Sequence, residues 1–335
     1  MLKGEVLNMV EMKKSPSVVF IKTTECCNLK CVQCNYHKNK ADDKNNITID
    51  DKMDILNQIK EWDKNIRVSF TGGEPFVRKD VFYKLARECK KLGIKASVTT
   101  NGTLIKDDEL KELLDLNLDF ILISIDSNDE KIHNSIRGVD NSFELATTFA
   151  KNIIELRNSI KSNTGIYVST LLGKHNLNDI ENVINFFEKV GFDGVFFQAI
   201  QPNFSSEFDE NWIENSPLYP SYEEAENGIN KIIKLKENYS IISQTKEQFE
   251  DMLIYFKNPL KLPFKKCEAM NSTIIINDNG ETQFCFDMER LGKKSSGNIK
   301  KKSLKEIWND NIELRQKMAN CQFGCGIMNC HYKEE

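Results

Sequence analysis

The sequence predicts an α/β protein: a partial (β/α)6 TIM-like barrel with a small C-terminal cysteine-rich domain. Short apolar runs alternate with amphipathic helical segments from Val18 to Ala199, and six such units fill this stretch. About 30 residues per unit is the usual length of a strand–helix–strand crossover, and such crossovers are right-handed on a parallel sheet. Six units are two fewer than a closed eight-stranded barrel requires, so we expect the barrel to be open.

The predicted strands are short apolar runs bounded by polar segments. They are Val18–Thr23, Arg67–Phe70, Lys95–Thr99, Phe120–Ile125, Ile166–Leu171 and Gly194–Gln198. Between them, apolar residues recur at three- and four-residue spacing, as in Ile55 and Ile59, which predicts amphipathic helices. In barrels of this kind the chemistry lies at the C-terminal ends of the strands, so functional residues are expected there.

The alternation stops after Gln201, which divides the chain into three expected regions. These are a barrel core (1–200), a helical connecting region (201–263) and a C-terminal domain (264–335). The connecting region contains two helical stretches, around Glu223–Lys236 and Lys246–Phe256.

Composition narrows the class of protein. The 335 residues are 40% hydrophobic and 29% charged, with a net charge of −4, which is typical of globular chains and unfavourable for nucleic-acid binding. The sequence contains no run of about 18 apolar residues, which a membrane span would need. Its N-terminus lacks the apolar segment of a signal peptide. We therefore expect a cytoplasmic protein, in which ten cysteines serve metal binding or catalysis rather than disulfides.

Three cysteines follow the first predicted strand in the segment Cys27-Asn-Leu-Lys-Cys31-Val-Gln-Cys34. Thiolates select zinc or iron–sulfur clusters, and three ligands leave one iron of a cubane open. A structural zinc site with Cys26 as fourth ligand is the alternative. Zinc does not explain Thr71-Gly-Gly-Glu-Pro75, which follows the second strand.

Together, these two motifs strongly resemble those of the radical S-adenosylmethionine (SAM) superfamily. Three weaker marks agree, at Thr100–Thr103, Ser124–Asp126 and Ile136–Gly138. The resemblance implies that Cys27 and its two partners hold a 4Fe-4S cluster whose open iron binds the amine and carboxylate of SAM. The positions that match cofactor-binding motifs are Gly72, Gly73, Glu74, Pro75, Asn101, Ser124, Asp126 and Arg137.

The resemblance also implies individual contacts with the cofactor. Gly73 and Glu74 would meet its amine, since glycine lets backbone approach a ligand closely. Ser124 and Asp126 would contact its ribose. Arg137 would pair with its carboxylate. The family often has an aromatic residue before the third cysteine, whereas this chain has glutamine at position 33.

Five further cysteines lie in the tail: Cys267, Cys285, Cys321, Cys325 and Cys330. A predicted hairpin, Thr273–Ile276 and Thr282–Phe286, separates the first two. The pattern resembles the SPASM and twitch auxiliary-cluster domains, which use seven cysteines for two clusters and four for one. We expect one auxiliary 4Fe-4S cluster held by four of the five, although a second, incompletely ligated cluster and a zinc ribbon are alternatives.

The resemblance implies a radical SAM oxidoreductase that generates a 5′-deoxyadenosyl radical and abstracts a substrate hydrogen. A flavodoxin- or ferredoxin-type donor would supply the electron, and the auxiliary cluster would assist oxidation. Only 17 residues precede the first strand, so we expect a small polar metabolite, such as a sugar or aminocyclitol, rather than a peptide bound by an N-terminal domain. A peptide- or protein-modifying maturase is the alternative, and a non-catalytic zinc or iron–sulfur scaffold is the alternative of another class.

Asp287 is the candidate catalytic base. It lies two residues after Cys285, so both side chains would share a face if the strand continued. A solvated turn aspartate is the alternative. Sulfatase-maturing relatives have an aspartate directly after an auxiliary cysteine, where this chain has Phe286, which disfavours that subfamily.

Overall fold

The computed structural model describes residues 11–39, 46–201, 211–260, 267–288, 292, 295–321 and 325–326. Within these ranges nine strands form one sheet. They are β1 Val18–Thr24, β2 Arg67–Gly72, β3 Ala96–Thr100, β4 Phe120–Ser124, β5 Gly165–Leu172, β6 Gly194–Ala199, β7 Thr273–Ile276, β8 Glu281–Gln283 and β9 Gly297–Asn298. Their order is β6-β5-β4-β3-β2-β1-β7-β8-β9. The first six strands are parallel, and each predicted strand ends within two residues of the observed one.

Helices connect the parallel strands and continue beyond them. They are α1 Ile49–Trp62, α2 Lys79–Leu92, α3 Leu110–Asp115, α4 Glu130–Arg137, α5 Ser142–Ile160, α6 Ile180–Val190, α7 Trp212–Asn215, α8 Tyr222–Leu235, α9 Lys246–Lys257, α10 Ala269–Ser272, α11 Leu304–Asp310 and α12 Ile312–Met318. Local sequence sets their ends: a capping box at Thr48 and Asp51 begins α1, and left-handed Gly93 ends α2. Among the described residues, no helix is long and apolar enough to cross a membrane.

Strand periodicity places the cavity inside the barrel. Along β5 every second residue is buried, including Ile166 and Val168, which join the core between sheet and helices. The alternate residues Ser169 and Leu171 face the interior and line a cavity. The period-2 pattern therefore separates a packed outer layer from an inner surface that is available to ligands.

The C-terminal hairpin extends the barrel sheet. Strand β7 pairs in parallel with β1, with Val18 opposite Thr273 and Ile21 opposite Ile276, and β8 returns antiparallel. The second hairpin strand was predicted to reach Phe286 but ends at Gln283. Its neighbour β9 has only two residues, and no described strand pairs with the chain after Gln283. A turn begins there.

The tail also contacts the opposite edge of the six parallel strands. Near the end of β6, the Gly326 N–H donates to Oε1 of Gln201 at 2.8 Å. A Cβ at Gly326 would lie 2.5 Å from the carbonyl oxygen of Ala199, so the two segments are in close backbone contact. Since β1 and β6 bound the open side of the barrel, the tail bridges that opening.

Candidate active site

A cavity of about 270 Å³ lies at the C-terminal ends of the parallel strands. All three cysteines of the first motif line it, as do most of the predicted cofactor-binding positions. The residues of both sets that line it are Cys27, Cys31, Cys34, Gly72, Gly73, Glu74, Asn101, Ser124 and Arg137. Five separate segments of the sequence therefore meet at one site.

The segment after β1, residues 25–34, is the cysteine loop, and the end of β2 holds one side of it. The Gly73 N–H donates to the carbonyl oxygen of Thr24, and the Glu74 N–H to that of Cys26, both at 2.9 Å. A Cβ at Gly72 or Gly73 would lie 2.1 or 2.0 Å from these same oxygens. We expected the glycines to let backbone approach the cofactor; in the structure they let it approach the cysteine loop.

The end of α4 holds the other side of the cysteine loop. Lys30 and Val32 donate their N–H groups to the carbonyl oxygens of Arg137 (3.0 Å) and Ile136 (2.9 Å). Gly138 ends α4 in the left-handed conformation, and a Cβ there would lie 2.2 Å from the carbonyl oxygen of Lys30. The Ile136–Gly138 motif therefore positions the cysteine loop through backbone contacts.

Glu74 joins the ends of β2 and β3. Its fully buried carboxylate accepts hydrogen bonds from the Thr100 hydroxyl (2.7 Å), the Asn101 N–H (2.7 Å) and the Phe76 N–H (3.1 Å). Burial raises its pKa to about 7, although these three donors oppose the shift. The side chain of Asn101 in turn donates to that of Asn28 in the cysteine loop at 2.9 Å.

Arg137 and Asp126 form a buried ion pair, with 2.8 Å between Nη2 and Oδ2. Burial alone raises the pKa of Asp126, but Arg137 and His133 hold it below its ordinary value. Burial likewise lowers the pKa of Arg137, but Asp126 and the Cys31 thiol raise it. Of this pair, only Arg137 lines the cavity. Asp126 is fully buried in this ion pair, and its contact with the ribose stays a prediction.

Ser124 and Pro75, two other predicted cofactor-binding residues, are placed differently from each other. Ser124 ends β4 on the inner face and lines the cavity, whereas Pro75 is buried at the start of the short 3-10 helix Pro75–Arg78. Gln33 is 5% exposed and lines the cavity, and no described residue hydrogen-bonds its Oε1.

The three cysteines of the cysteine loop line the cavity together. In the described part of the chain, no three His, Cys, Asp or Glu side chains form a group that could hold one metal ion. Burial raises the pKa of Cys27 to about 12 and that of Cys34 to about 11, so cluster binding must displace their protons.

Sequence reasoning missed Lys22, Tyr36 and Phe286, which also line the cavity. Lys22 is only 7% exposed; its Nζ lies 2.9 Å from Oε1 of Glu25 and 5.2 Å from the centre of the Tyr36 ring. Burial lowers the pKa of Lys22, but Tyr36 and Glu25 raise it above the ordinary value. A lysine within an otherwise apolar strand was a signal that could have identified it.

The tail cysteines are positioned by separate elements. Cys267 donates its N–H to the carbonyl oxygen of Ala319, and Cys321 to that of Met318, so both lie at the end of α12. Burial raises the pKa of Cys267 to about 12, and the Cys321 thiol adds to the shift. We call Cys267, Cys285, Cys321 and Cys325 the auxiliary site. Cys330 lies outside the described residues.

The strand does not continue to Asp287, so the condition for a face shared with Cys285 is not met. Strand β8 ends at Gln283, and the chain turns so that the Asp287 N–H donates to Sγ of Cys285 at 3.2 Å. Of the residues in this turn, Phe286 lines the cavity and packs edge-on against Phe20, with ring centres 5.1 Å apart. Asp287 is not among the described residues that line the cavity.

Family comparisons agree with this site. The radical SAM superfamily model matches residues 21–187, and the SPASM iron–sulfur cluster-binding domain matches residues 267–331. The chain belongs to the radical SAM superfamily and carries a C-terminal SPASM domain.

Two relatives match over most of the chain. It is 27% identical to the AdoMet-dependent heme synthase of Methanosarcina barkeri, over 97% of this chain and 91% of that protein. It is 24% identical to the tungsten-containing aldehyde ferredoxin oxidoreductase cofactor-modifying protein of Pyrococcus furiosus, over 87% of this chain and 80% of that protein.

Solved structures share the fold. Streptococcus suis SuiB bound to S-adenosylmethionine superposes with a TM-score of 0.66 at 19% identity, covering 88% of this chain and 65% of that one. The enzyme anSMEcpe with bound AdoMet and a peptide gives 0.67 at 19% identity, covering 92% and 84%.

The protein is therefore an enzyme that cleaves SAM reductively, and its cofactors are a SAM-bound 4Fe-4S cluster and auxiliary iron–sulfur. The alternative of a non-catalytic scaffold is not retained.

Proposed function

We propose that this enzyme oxidises a small polar substrate beside the cysteine loop and passes the released electron to the auxiliary cluster. One observation carries the proposal: Phe286 lines the cavity, and its chain neighbour Cys285 belongs to the auxiliary site. Consecutive Cα atoms are 3.8 Å apart, so an auxiliary cluster bound through Cys285 would border the substrate.

The cysteine loop supplies three thiolates for the first cluster. When bound, that cluster and SAM supply the 5′-deoxyadenosyl radical that removes a substrate hydrogen. Arg137 is suited to the cofactor carboxylate because its Nε is buried and no described residue hydrogen-bonds it. The hydrogen bonds of Glu74 and Asn101 hold the surrounding backbone in place. This keeps the reacting groups correctly positioned.

The rest of the cavity wall favours a polar substrate. Hydroxyl and amide groups from successive strands face it, including Thr99, Ser169 and Gln198. Lys22 also lines the cavity, and Glu25 pairs with its ammonium at 2.9 Å. A small molecule with several oxygen atoms would satisfy the hydroxyl and amide groups.

The domain division and the electron donor belong to the same proposal. We assign 1–200 to the barrel, 201–263 to the connecting region and 264–335 to the auxiliary-cluster domain. A flavodoxin or ferredoxin would deliver the electron that starts each turnover.

The test is a screen for the hydrogen donor. Anaerobically reconstituted enzyme, SAM and dithionite are incubated with a fully deuterated extract separated into small polar metabolites, peptides and porphyrins. The porphyrin fraction is included because one relative is a heme synthase. We expect deuterium in 5′-deoxyadenosine with the first fraction. Deuterium transfer from the peptide or porphyrin fraction alone would refute the substrate class.

A further inference from the structure

We propose that Gln201, just beyond β6, donates a hydrogen bond to the auxiliary iron–sulfur cluster and raises its reduction potential. The residue follows the last barrel strand at the start of the connecting region, and it lies outside the cysteine-rich tail. A residue at the edge of the barrel sheet would thus tune the electron acceptor that serves the cavity.

Gln201 is fixed against the tail through one end of its amide. Oε1 accepts the Gly326 N–H at 2.8 Å, and Gly326 directly follows Cys325. A Cβ at Gly326 would lie 2.5 Å from the carbonyl oxygen of Ala199, so glycine is required for this contact. Cys325 is therefore held beside the Gln201 amide.

The other end of the amide has no hydrogen-bond partner in the described part of the chain. Gln201 is 3% exposed, and its Nε2 is buried without a hydrogen-bond acceptor among the described residues. The oxygen and nitrogen of an amide are about 2.3 Å apart, so Nε2 lies within about 5 Å of the Gly326 nitrogen. A buried donor that stays unpaired is costly, so an acceptor is expected at this position.

An auxiliary cluster held by Cys325 would provide that acceptor. Its thiolate and sulfide sulfurs carry negative charge, which increases when the cluster is reduced. An N–H that points at them favours the reduced form and raises the potential, because hydrogen bonds to sulfur are one of the protein's means of setting it. The inference rests on Cys325 being a ligand, within the proposed function.

The experiment isolates the auxiliary cluster in the full-length chain. Alanine replaces Cys27, Cys31 and Cys34. The reduction potential of the remaining cluster is then measured by a redox titration followed by EPR, and the iron content is determined. In this background Gln201→Met removes both ends of the amide, whereas Gln201→Glu keeps an oxygen for the Gly326 N–H. Tyr255→Phe is the matched control, since the Tyr255 hydroxyl donates to the carbonyl oxygen of Ile200 at 2.8 Å, one residue away.

We expect a lower potential in Gln201→Met and Gln201→Glu, and an unchanged potential in Tyr255→Phe. In protein labelled with ¹⁵N in the glutamine side chains, the reduced cluster should show a ¹⁵N coupling that disappears in Gln201→Met. A wild-type potential in Gln201→Glu with full iron content overturns the inference. Retention of all auxiliary iron in Cys325→Ala also overturns it, because no ligand then lies beside the amide. That result leaves the screen for the hydrogen donor untouched.

Discussion

The two cysteine sites of this enzyme are assembled in different ways. The cysteine loop carries three thiols within eight residues, and backbone hydrogen bonds from β2 and α4 hold it on both sides. The auxiliary site collects cysteines from position 267 to 325, positioned by α12, the turn after β8 and the end of β6. The cysteines of the first site are therefore neighbours in sequence, whereas those of the second come from segments that are far apart in the chain.

The largest effect on SAM cleavage should come from replacing a cysteine of the cysteine loop. Cys31→Ala should abolish formation of 5′-deoxyadenosine, because a cluster with two protein ligands is not retained, while about four auxiliary irons remain, as one cubane requires. Iron analysis and chromatography of the nucleoside product measure both. Cys89→Ala, in the core face of α2, should leave iron and cleavage unchanged. Normal turnover in Cys31→Ala would show that Cys31 does not hold the first cluster.

Cys285→Ala should remove the auxiliary cluster and leave the first cluster in place. Iron should fall from about eight to about four per chain, as two cubanes imply. SAM cleavage should continue slowly, whereas oxidised product should not form, because the substrate radical loses its electron acceptor. If substrate affinity also falls, the auxiliary site shapes the cavity as well. Eight irons in this variant would contradict the assignment.

The backbone support of the cysteine loop should be sensitive to one methyl group. Gly73→Ala places a Cβ 2.0 Å from the carbonyl oxygen of Cys26, so the loop must shift. We expect cleavage to fall about 100-fold, the scale of a 1 Å misplacement. Gly93→Ala is the control: φ is +67° but the nearest atom is 3.9 Å away, so it should cost about 1 kcal/mol of folding stability without loss of iron. Equal activity in the two variants would contradict the prediction.

Glu74 should make folding stability depend on pH before the cluster is loaded. Its pKa is raised to about 7 from 4.5, so the folded state binds the proton more tightly than the unfolded state. The contribution is present below pH 4.5 and is lost as pH rises through 7, by about 3 kcal/mol in total. Glu74→Gln should lack this decline when denaturant unfolding is measured from pH 5 to pH 8. Parallel pH profiles for the two proteins would refute it.

The smallest effect is expected at Asp287. Asp287 is not one of the described residues that line the cavity. Asp287→Asn should therefore keep product formation near the wild-type level. Phe286→Ala in the same turn should reduce it, because Phe286 does line the cavity. Product assays on the two variants make the comparison. Loss of product in Asp287→Asn alone would restore it as a candidate base.

The sequence was sufficient where function depends on local pattern. Strand periodicity gave six parallel strands, and short motifs gave the cysteine loop and its glycines. The pairing of β7 with β1 and the contact of Gly326 with Gln201 were not foreseen, since no pattern specifies which distant segments meet. The buried ion pair of Asp126 with Arg137 was not foreseen either, because the short motifs do not specify it.

The pairing of β7 with β1 also determines how the molecule can be divided. Removing the tail would leave β1 as an edge strand, with its backbone N–H and C=O groups exposed along a largely buried apolar run. Such edges recruit strands from other molecules. The barrel without its tail should therefore self-associate, so the C-terminal region protects the fold as well as serving the chemistry.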